Sequence, residues 1–326
     1  MPLPINTQAA SLDPLAAHII RSLSSRLPPA SATPAAIRQH YAESRRPLLG
    51  PLLAVAGTET LSQKETGGPA LTIYRPLPAE GKPRPQTFLF LHGGGWTVGD
   101  LETYDALCRR LCSRLNANIV FAEYRLAPEH PFPAPLLDAE KACRFVFANA
   151  FRLGINPERV GVLGDSAGAN LAAVLALRNK KGIFGGTFHA QVLIYPCLDL
   201  TCAEPSHTQL AEGYLLTREL YRWYVDNYLR GHDARDWHVS PLFARNLAGL
   251  APSVVLHAGF DPLRDEAKAY VQRLREAKVP VKEISFPDMM HGFINMAGAL
   301  EQADLAVLCI RASLHTLLSN RLSVKG

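Results

Sequence analysis

Residues 159–177 read RVGVLGDSAGANLAAVLAL, an apolar β-rich run that passes through Gly164-Asp165-Ser166-Ala167-Gly168 straight into an alanine-rich helical stretch. A strand, a sharp turn and a helix in that order fit the G-x-S-x-G turn, in which a strained serine projects its hydroxyl above a sheet. Side chains two positions to either side of that serine would meet neighbouring backbone, so Gly164 and Gly168 follow from Ser166. The helix start just beyond adds partial positive charge and free N–H groups where an oxyanion would form. The bland alternative, a Gly-Ser helix cap, is disfavoured by the strand in front of it.

Outward from this turn the same alternation continues. LTIYRP, TFLFLH, NIVFAEY, RVGVLG, HAQVLIYP, SVVLHAG and VKEISF are strand candidates. ETYDALCRRLCSRL, PLLDAEKACRFVFANAF, AGANLAAVLALRN and PLRDEAKAYVQRLREA have helical spacing, and ADLAVLCIRASLHTLLSNRL forms a final helix. Strands that are apolar almost throughout, joined by helices, imply a mostly parallel central sheet covered on both faces.

Two segments break the alternation. Residues 1–50 offer DPLAAHIIRSLSSRL and PAAIRQHYAESRR with no strand, and residues 199–245 offer TRELYRWYVDNYL amid loop. The chain therefore divides into an N-terminal helical cap segment (1–50), a first core part (51–198), a second cap segment (199–245) and a second core part (246–326). No repeat period or low-complexity run suggests a further division.

Composition excludes several classes of function. A net charge of +5 over 326 residues, without a long Lys/Arg block, leaves no electrostatic footprint for nucleic acid. The apolar runs fall short of the roughly 20 residues of a membrane helix. The start MPLPINTQAASLDPLAAHII lacks the basic and apolar regions of a secretory leader, so a cytoplasmic protein is expected. Cys108, Cys112, Cys143, Cys197, Cys202 and Cys309 lie mostly inside apolar patterns, which favours reduced, packed thiols. Cys108 and Cys112 share a helix face but have no histidine pair nearby, so no metal is expected.

A serine becomes a nucleophile only when a base takes its proton, and a third group must orient that base. On such a sheet the partners are expected in the order serine, acid, histidine, at the ends of later strands. Asp261 falls just past SVVLHAG, and His291 falls in the loop past VKEISF. Asp265 and Glu266 lie beyond Pro262 on a helix pointing away, and Asp288 precedes His291 in the same loop. His257 sits inside a strand and His130 in a Pro-rich loop, which makes both weaker candidates for the base. The tetrahedral oxyanion also needs donors. HGGGW at 92–96, after the strand TFLFL, offers backbone without side chains close to the serine, and the Ala167 N–H completes the set.

With these parts in place the chain resembles the hormone-sensitive-lipase-like family of carboxylesterases, built on the α/β-hydrolase fold. HGGGW at 92–96, GD at 99–100, YRLAPEHPFPA at 124–134, GDSAG at 164–168, DPLRDE at 261–266 and HGF at 291–293 carry the resemblance from about residue 70 to the C-terminus. It implies Ser166 as nucleophile, Asp261 as orienting acid and His291 as base. It also implies Gly94 and Gly95 as oxyanion donors beside Ala167, a structural His92, and a structural YRLAPE block in which Arg125 and Glu129 pair nearby loops.

The expected reaction is hydrolysis of short- to medium-chain carboxylic esters through an acyl-serine, with water as the second substrate and no cofactor. An amidase or lactonase uses the same machinery. A non-catalytic ligand-binding receptor of this fold is the reading from another class, and His291 in its HGF context argues against it. Trp96, Asp165, Tyr195, Tyr214 and Leu215 are candidates for the pocket wall. Tyr214, Leu215, Leu216, Tyr221, Trp223 and Tyr224 either form an apolar acyl pocket or fasten the cap to the core. VKEISF, as the last strand of an open sheet, leaves room for a homodimer through that edge, as the resemblance also implies.

Overall fold

A computed structural model describes residues 11–24, 33–78 and 85–322, so parts of the 1–50, 51–198 and 246–326 segments lie outside the described residues. So do residues 25–27 of the first helix candidate and the first ten residues of the stretch read for a leader. Eight strands form one sheet: β1 (Gly57–Leu61), β2 (Ala70–Arg75), β3 (Thr87–Leu91), β4 (Asn118–Glu123), β5 (Val160–Asp165), β6 (Gln191–Ile194), β7 (Ser253–Phe260) and β8 (Val281–Met290). Their order is β1-β2-β4-β3-β5-β6-β7-β8. The β1–β2 and β2–β4 pairs are antiparallel, and every later pair is parallel.

The helices are α1 (Pro14–Ser24), α2 (Pro34–Arg45), α3 (Gln63–Thr66), α4 (Leu101–Leu115), α5 (Ala134–Ala148), α6 (Ala167–Arg178), α7 (Ser206–Gln209), α8 (Arg218–Leu229), α9 (Arg264–Glu276) and α10 (Glu301–Leu322). Side chains alternate along each strand, so one strand feeds two cores. In β3, Leu89 and Leu91 join the cluster under α5, α6 and α9, while Phe88 and Phe90 join the cluster under α4 and α10. The same period holds in β5, where Val162 faces the first cluster and Leu163 the second. Helices on both faces of a mostly parallel sheet make the α/β-hydrolase architecture.

Three elements depart from the sequence reading. The strand β1, sequence GTETL, has three exposed residues in a row, and its polar alternation gave no apolar signal. The strand β8 runs on through Pro287 and Asp288 to Met290, where a loop was expected. Proline lacks a ladder donor but is tolerated on an edge strand, and β8 is the sheet's edge. The helix α1 packs Ala16, Ile19, Ile20 and Leu23 into the core cluster that holds α4 and α10, so it is partly core where a pure cap was expected. By contrast α2 buries no side chain and rests across the loops above the sheet.

Candidate active site

Three strand ends converge above the sheet. Ser166 follows the last residue of β5, Asp261 the last residue of β7, and His291 the last residue of β8. His291 Nε2 lies 2.9 Å from Ser166 Oγ, and His291 Nδ1 lies 2.8 Å from Asp261 Oδ2. The other oxygen of Asp261 accepts the Leu263 N–H at 2.9 Å, which fixes the carboxylate's orientation, and Asp261 is wholly buried. The imidazole packs against the Tyr195 ring, centroids 4.6 Å apart.

The competing acids are elsewhere. Asp265 pairs with Arg264 at 2.8 Å, and Asp288 lies within β8 with only its carbonyl engaged, by the Asp13 N–H. Glu266 is fully buried, where it accepts the Leu198 N–H at 2.9 Å and faces His207 at 3.4 Å. His257 points to Glu283 at 3.0 Å, away from the serine.

The serine turn is strained. Ser166 has φ 54° and ψ −122°, a combination that costs of the order of 1–3 kcal/mol and persists only where the surroundings impose it. Here the Ser166 N–H donates to Ile194 O at 2.9 Å, and the Asn170 N–H returns to Ser166 O at 3.1 Å. A Cβ on Gly168 would collide with the carbonyl oxygens of Leu91 and His92, so the turn needs glycine there.

The loop after β3 holds the remaining parts. Gly94 and Gly95 have φ of +101° and +57°. Their conformation turns the loop over Ser166, and both line the cavity that Ser166 and His291 share. Among the described residues no hydrogen bond engages the N–H of Gly94, Gly95 or Ala167. The Gly93 N–H, in contrast, donates to Asp165 Oδ1 at 2.8 Å. Burial pushes the Asp165 carboxyl up to about 6, against the Gly93 N–H, the Tyr104 hydroxyl and the nearby His291, all of which favour its charged form. His92 is buried and held down to about 4 by the loss of solvation. It stacks on Tyr124 at 4.3 Å and its Nδ1 lies 2.8 Å from Gly93 O, so the ring is a neutral support for the loop.

The cavity encloses about 90 Å³. Of the pocket-wall candidates, Asp165 and Leu215 line it, and Trp96, Tyr195 and Tyr214 do not. Trp96 is fully buried and stacked flat on Tyr228, ring centroids 4.2 Å apart, where it braces the loop from behind. Tyr195 sits beneath His291, and Tyr214 packs on Phe260 at 5.2 Å. Residues 199–245 supply Leu215, Leu216, Leu220, Tyr221 and Tyr224, while Trp223, which the sequence grouped with them, packs beside Tyr224 without lining the cavity.

Tyr41 and Arg45 of α2 also line the cavity, together with Tyr104, Cys197 and Asn295. Sequence reasoning missed all five. Only the first two left a signal, an i, i+4 pair on one face of a helix already set apart from the sheet. The Cys197 thiol lies 3.9 Å from Ser166 Oγ, and burial pushes its pKa well above the ordinary thiol range.

The YRLAPE block ties these parts together differently from the expected loop pairing. Arg125 grips Asp138 of α5 through two bonds of 2.8 Å, and Glu129 meets Arg38 of α2 at 2.6 Å. Arg38 also donates to Thr97 O at 2.8 Å and Ala127 O at 2.9 Å, fastening α2 to the glycine loop.

Comparison with known proteins agrees with this architecture. The α/β-hydrolase-fold family model matches residues 88–295. The chain is 40% identical to the carboxylic ester hydrolase LipN of Mycobacterium tuberculosis over 269 residues, covering 80% of this chain and 70% of that protein. It is 34% identical to ethyl acetate hydrolase of Pseudomonas putida, covering 73% and 75% of the two chains. The crystal structure of a hyperthermophilic esterase from the archaeon Pyrobaculum calidifontis superposes with a TM-score of 0.84 at 34% identity, over 94% of this chain and 99% of that one. The chain belongs to the α/β-hydrolase-fold family, in its hormone-sensitive-lipase-like group of carboxylesterases.

Proposed function

We propose that this chain hydrolyses short- to medium-chain carboxylic esters through an acyl-serine intermediate, with Ser166 as nucleophile, His291 as base and Asp261 as the acid that orients it. The hydrogen-bonded chain from Ser166 Oγ through His291 to Asp261 carries the reading. In the neutral imidazole one nitrogen accepts and the other donates. Asp261 Oδ2 at Nδ1 holds the proton there and leaves Nε2 free to take the Ser166 proton.

As Oγ attacks the ester carbonyl, negative charge builds on the carbonyl oxygen. The unengaged N–H groups of Gly94, Gly95 and Ala167 are the donors for it, while Gly93, bound to Asp165, is not available. Each such donor is worth about 100- to 1000-fold in turnover. His291 then hands its proton to the leaving alcohol, and water repeats the cycle on the acyl-serine. The small cavity with its leucines supports a short to medium acyl chain.

Residues 1–50 and 199–245 act in this reading as cap segments, since α2 and α8 bring Tyr41 and Tyr224 over the serine. The edge position of β8 supports a homodimer through that strand, which light scattering tests directly. Five buried thiols and no disulfide among the described residues support a cytoplasmic setting.

A panel of p-nitrophenyl esters from acetate to palmitate tests the substrate reading. The proposal expects kcat/KM to peak at or below about eight carbons, in keeping with a small apolar pocket. A maximum at palmitate, or no turnover on any of them, contradicts it.

A further inference from the structure

Three arginines lie on α2 or directly after it, and two of them have acids. Arg38 meets Glu129 at 2.6 Å and Arg46 meets Glu102 at 2.8 Å. Arg45 forms no ion pair among the described residues, and its buried Nη1 has no hydrogen-bond partner. Its guanidinium lies 5.3 Å from the centroid of the Tyr41 ring and lines the same cavity as Ser166.

Arg45 is only part-buried, but a buried donor without an acceptor is unfavourable, so its Nη1 marks a place where an acceptor belongs. No acid in the cavity is free to serve. Asp165 is the one carboxylate lining it, and its oxygens already accept from the Gly93 N–H at 2.8 Å and the Tyr104 hydroxyl at 3.2 Å. Three phenols lie within the influence of Arg45, and the Tyr41 hydroxyl is near enough to share a hydrogen bond with the guanidinium, though not through Nη1. Its positive charge draws the Tyr41, Tyr195 and Tyr224 hydroxyls down against the upward push of their burial. Since Tyr195 packs on His291, that charge is felt beside the reacting atoms.

We propose that Arg45 makes this cavity select esters that carry a carboxylate, the half-esters of short dicarboxylic acids being the simplest. This rests on the ester-hydrolase reading above. A guanidinium presents two parallel N–H donors that match a carboxylate, and such charge-assisted pairs outweigh neutral hydrogen bonds. The cavity is small and partly open, which favours a short linker, and Leu215, Leu216 and Leu220 offer it apolar surface.

Matched pairs of nearly equal size test it by pH-stat. Monoethyl glutarate against ethyl pentanoate places the carboxylate on the acyl side, and 3-acetoxypropionate against butyl acetate places it on the alcohol side. The quantity read is the ratio of kcat/KM, charged over neutral, in wild type, Arg45→Gln, Arg45→Lys and Arg45→Glu, each checked for an unchanged melting temperature. For one of the two pairs Arg45→Gln should lower the ratio about 10- to 100-fold, chiefly through KM, the scale of a charge-assisted bond. Arg45→Lys should keep part of it, Arg45→Glu should lower it further, and added salt should lower it in wild type and, less, in Arg45→Lys, but not in Arg45→Gln. A ratio that moves less than threefold in Arg45→Gln for both pairs overturns the inference, as does a wild type that strongly prefers the neutral ester in both. Hydrolysis of the neutral esters in that case leaves the ester-hydrolase reading standing. Failure to hydrolyse any of the four overturns that reading and this one together.

Discussion

The Gly93 N–H donates to Asp165 Oδ1 at 2.8 Å, and this single bond joins the glycine loop to the serine turn. Tyr104 approaches the other oxygen at 3.2 Å, so the carboxylate is held from two elements at once. The bond also decides which glycines can serve an oxyanion, because it takes Gly93 out of the set.

That anchor should be visible in the pH dependence of stability. Asp165 is raised from its ordinary value of 3.8 to about 6 in the folded protein, which means that the fold prefers the protonated carboxyl. Its stabilising contribution is therefore complete below about pH 4 and is lost as pH rises through 6, a difference of about 3 kcal/mol. His92 works in the opposite sense over an overlapping window: lowered from 6.5 to about 4, it favours the fold above pH 6.5 and loses that contribution as pH falls. Asp165→Asn keeps an acceptor for Gly93 but does not titrate. Relative to wild type the variant should gain stability between pH 4.5 and 7 in urea melts, and a constant difference across that range would refute the assignment.

Gly95 gives a sharper test of the loop. A Cβ there would run into the Tyr224 ring, and its φ of +57° disfavours any side chain. Gly95→Ala should lower kcat/KM on a p-nitrophenyl ester by about 100- to 1000-fold, the range for a misplaced oxyanion donor. Adding Tyr224→Ala removes the collision and should return at least tenfold. Near-normal turnover in Gly95→Ala would exclude this loop as the charge sink.

Arg38 holds α2 over the site through Thr97, Ala127 and Glu129. Arg38→Ala should raise KM about tenfold with a smaller change in kcat, because these part-exposed bonds together amount to about 1–2 kcal/mol. Limited proteolysis should also cut the variant faster between residues 33 and 50. Unchanged KM and protection would show that α2 stays in place without it.

How far the sequence could be read depends on which physical signal each part leaves. Ser166, Asp261 and His291 are legible because each sits directly after a β-rich run, and strand ends on a parallel sheet share one side. The strand β1 is not legible, since GTETL at an exposed edge needs no apolar alternation. The extension of β8 is hidden by Pro287, a residue admitted here by an edge strand whose register against β7 shifts at this point. The cavity wall is the least legible part. Trp96 and Tyr195 flank the motifs in sequence yet brace them from behind, while Tyr41, some 125 residues before Ser166, reaches the cavity through the packing of α2. Adjacency along the chain is a poor guide to a surface assembled from several loops and three helices, α2, α4 and α8.

The acid of the proposed triad is separable from its neighbour. Asp261→Asn should reduce kcat by about 10⁴, since an amide favours the wrong imidazole tautomer. Asp288→Asn should stay within about threefold, as its side chain has no hydrogen bond to His291. The reverse ranking would move the orienting role to β8.

The central claim is that Ser166 carries the acyl group, and covalent trapping tests it most directly. The protein is treated with a p-nitrophenyl alkylphosphonate, and its peptides are mapped by mass while released nitrophenol and residual esterase activity are followed. One phosphonyl group per chain on the peptide containing Ser166, accumulating in step with the loss of activity and nearly absent in His291→Ala, is the predicted result. Full inactivation with Ser166 unmodified, or with the phosphonyl group on another residue, would contradict the account.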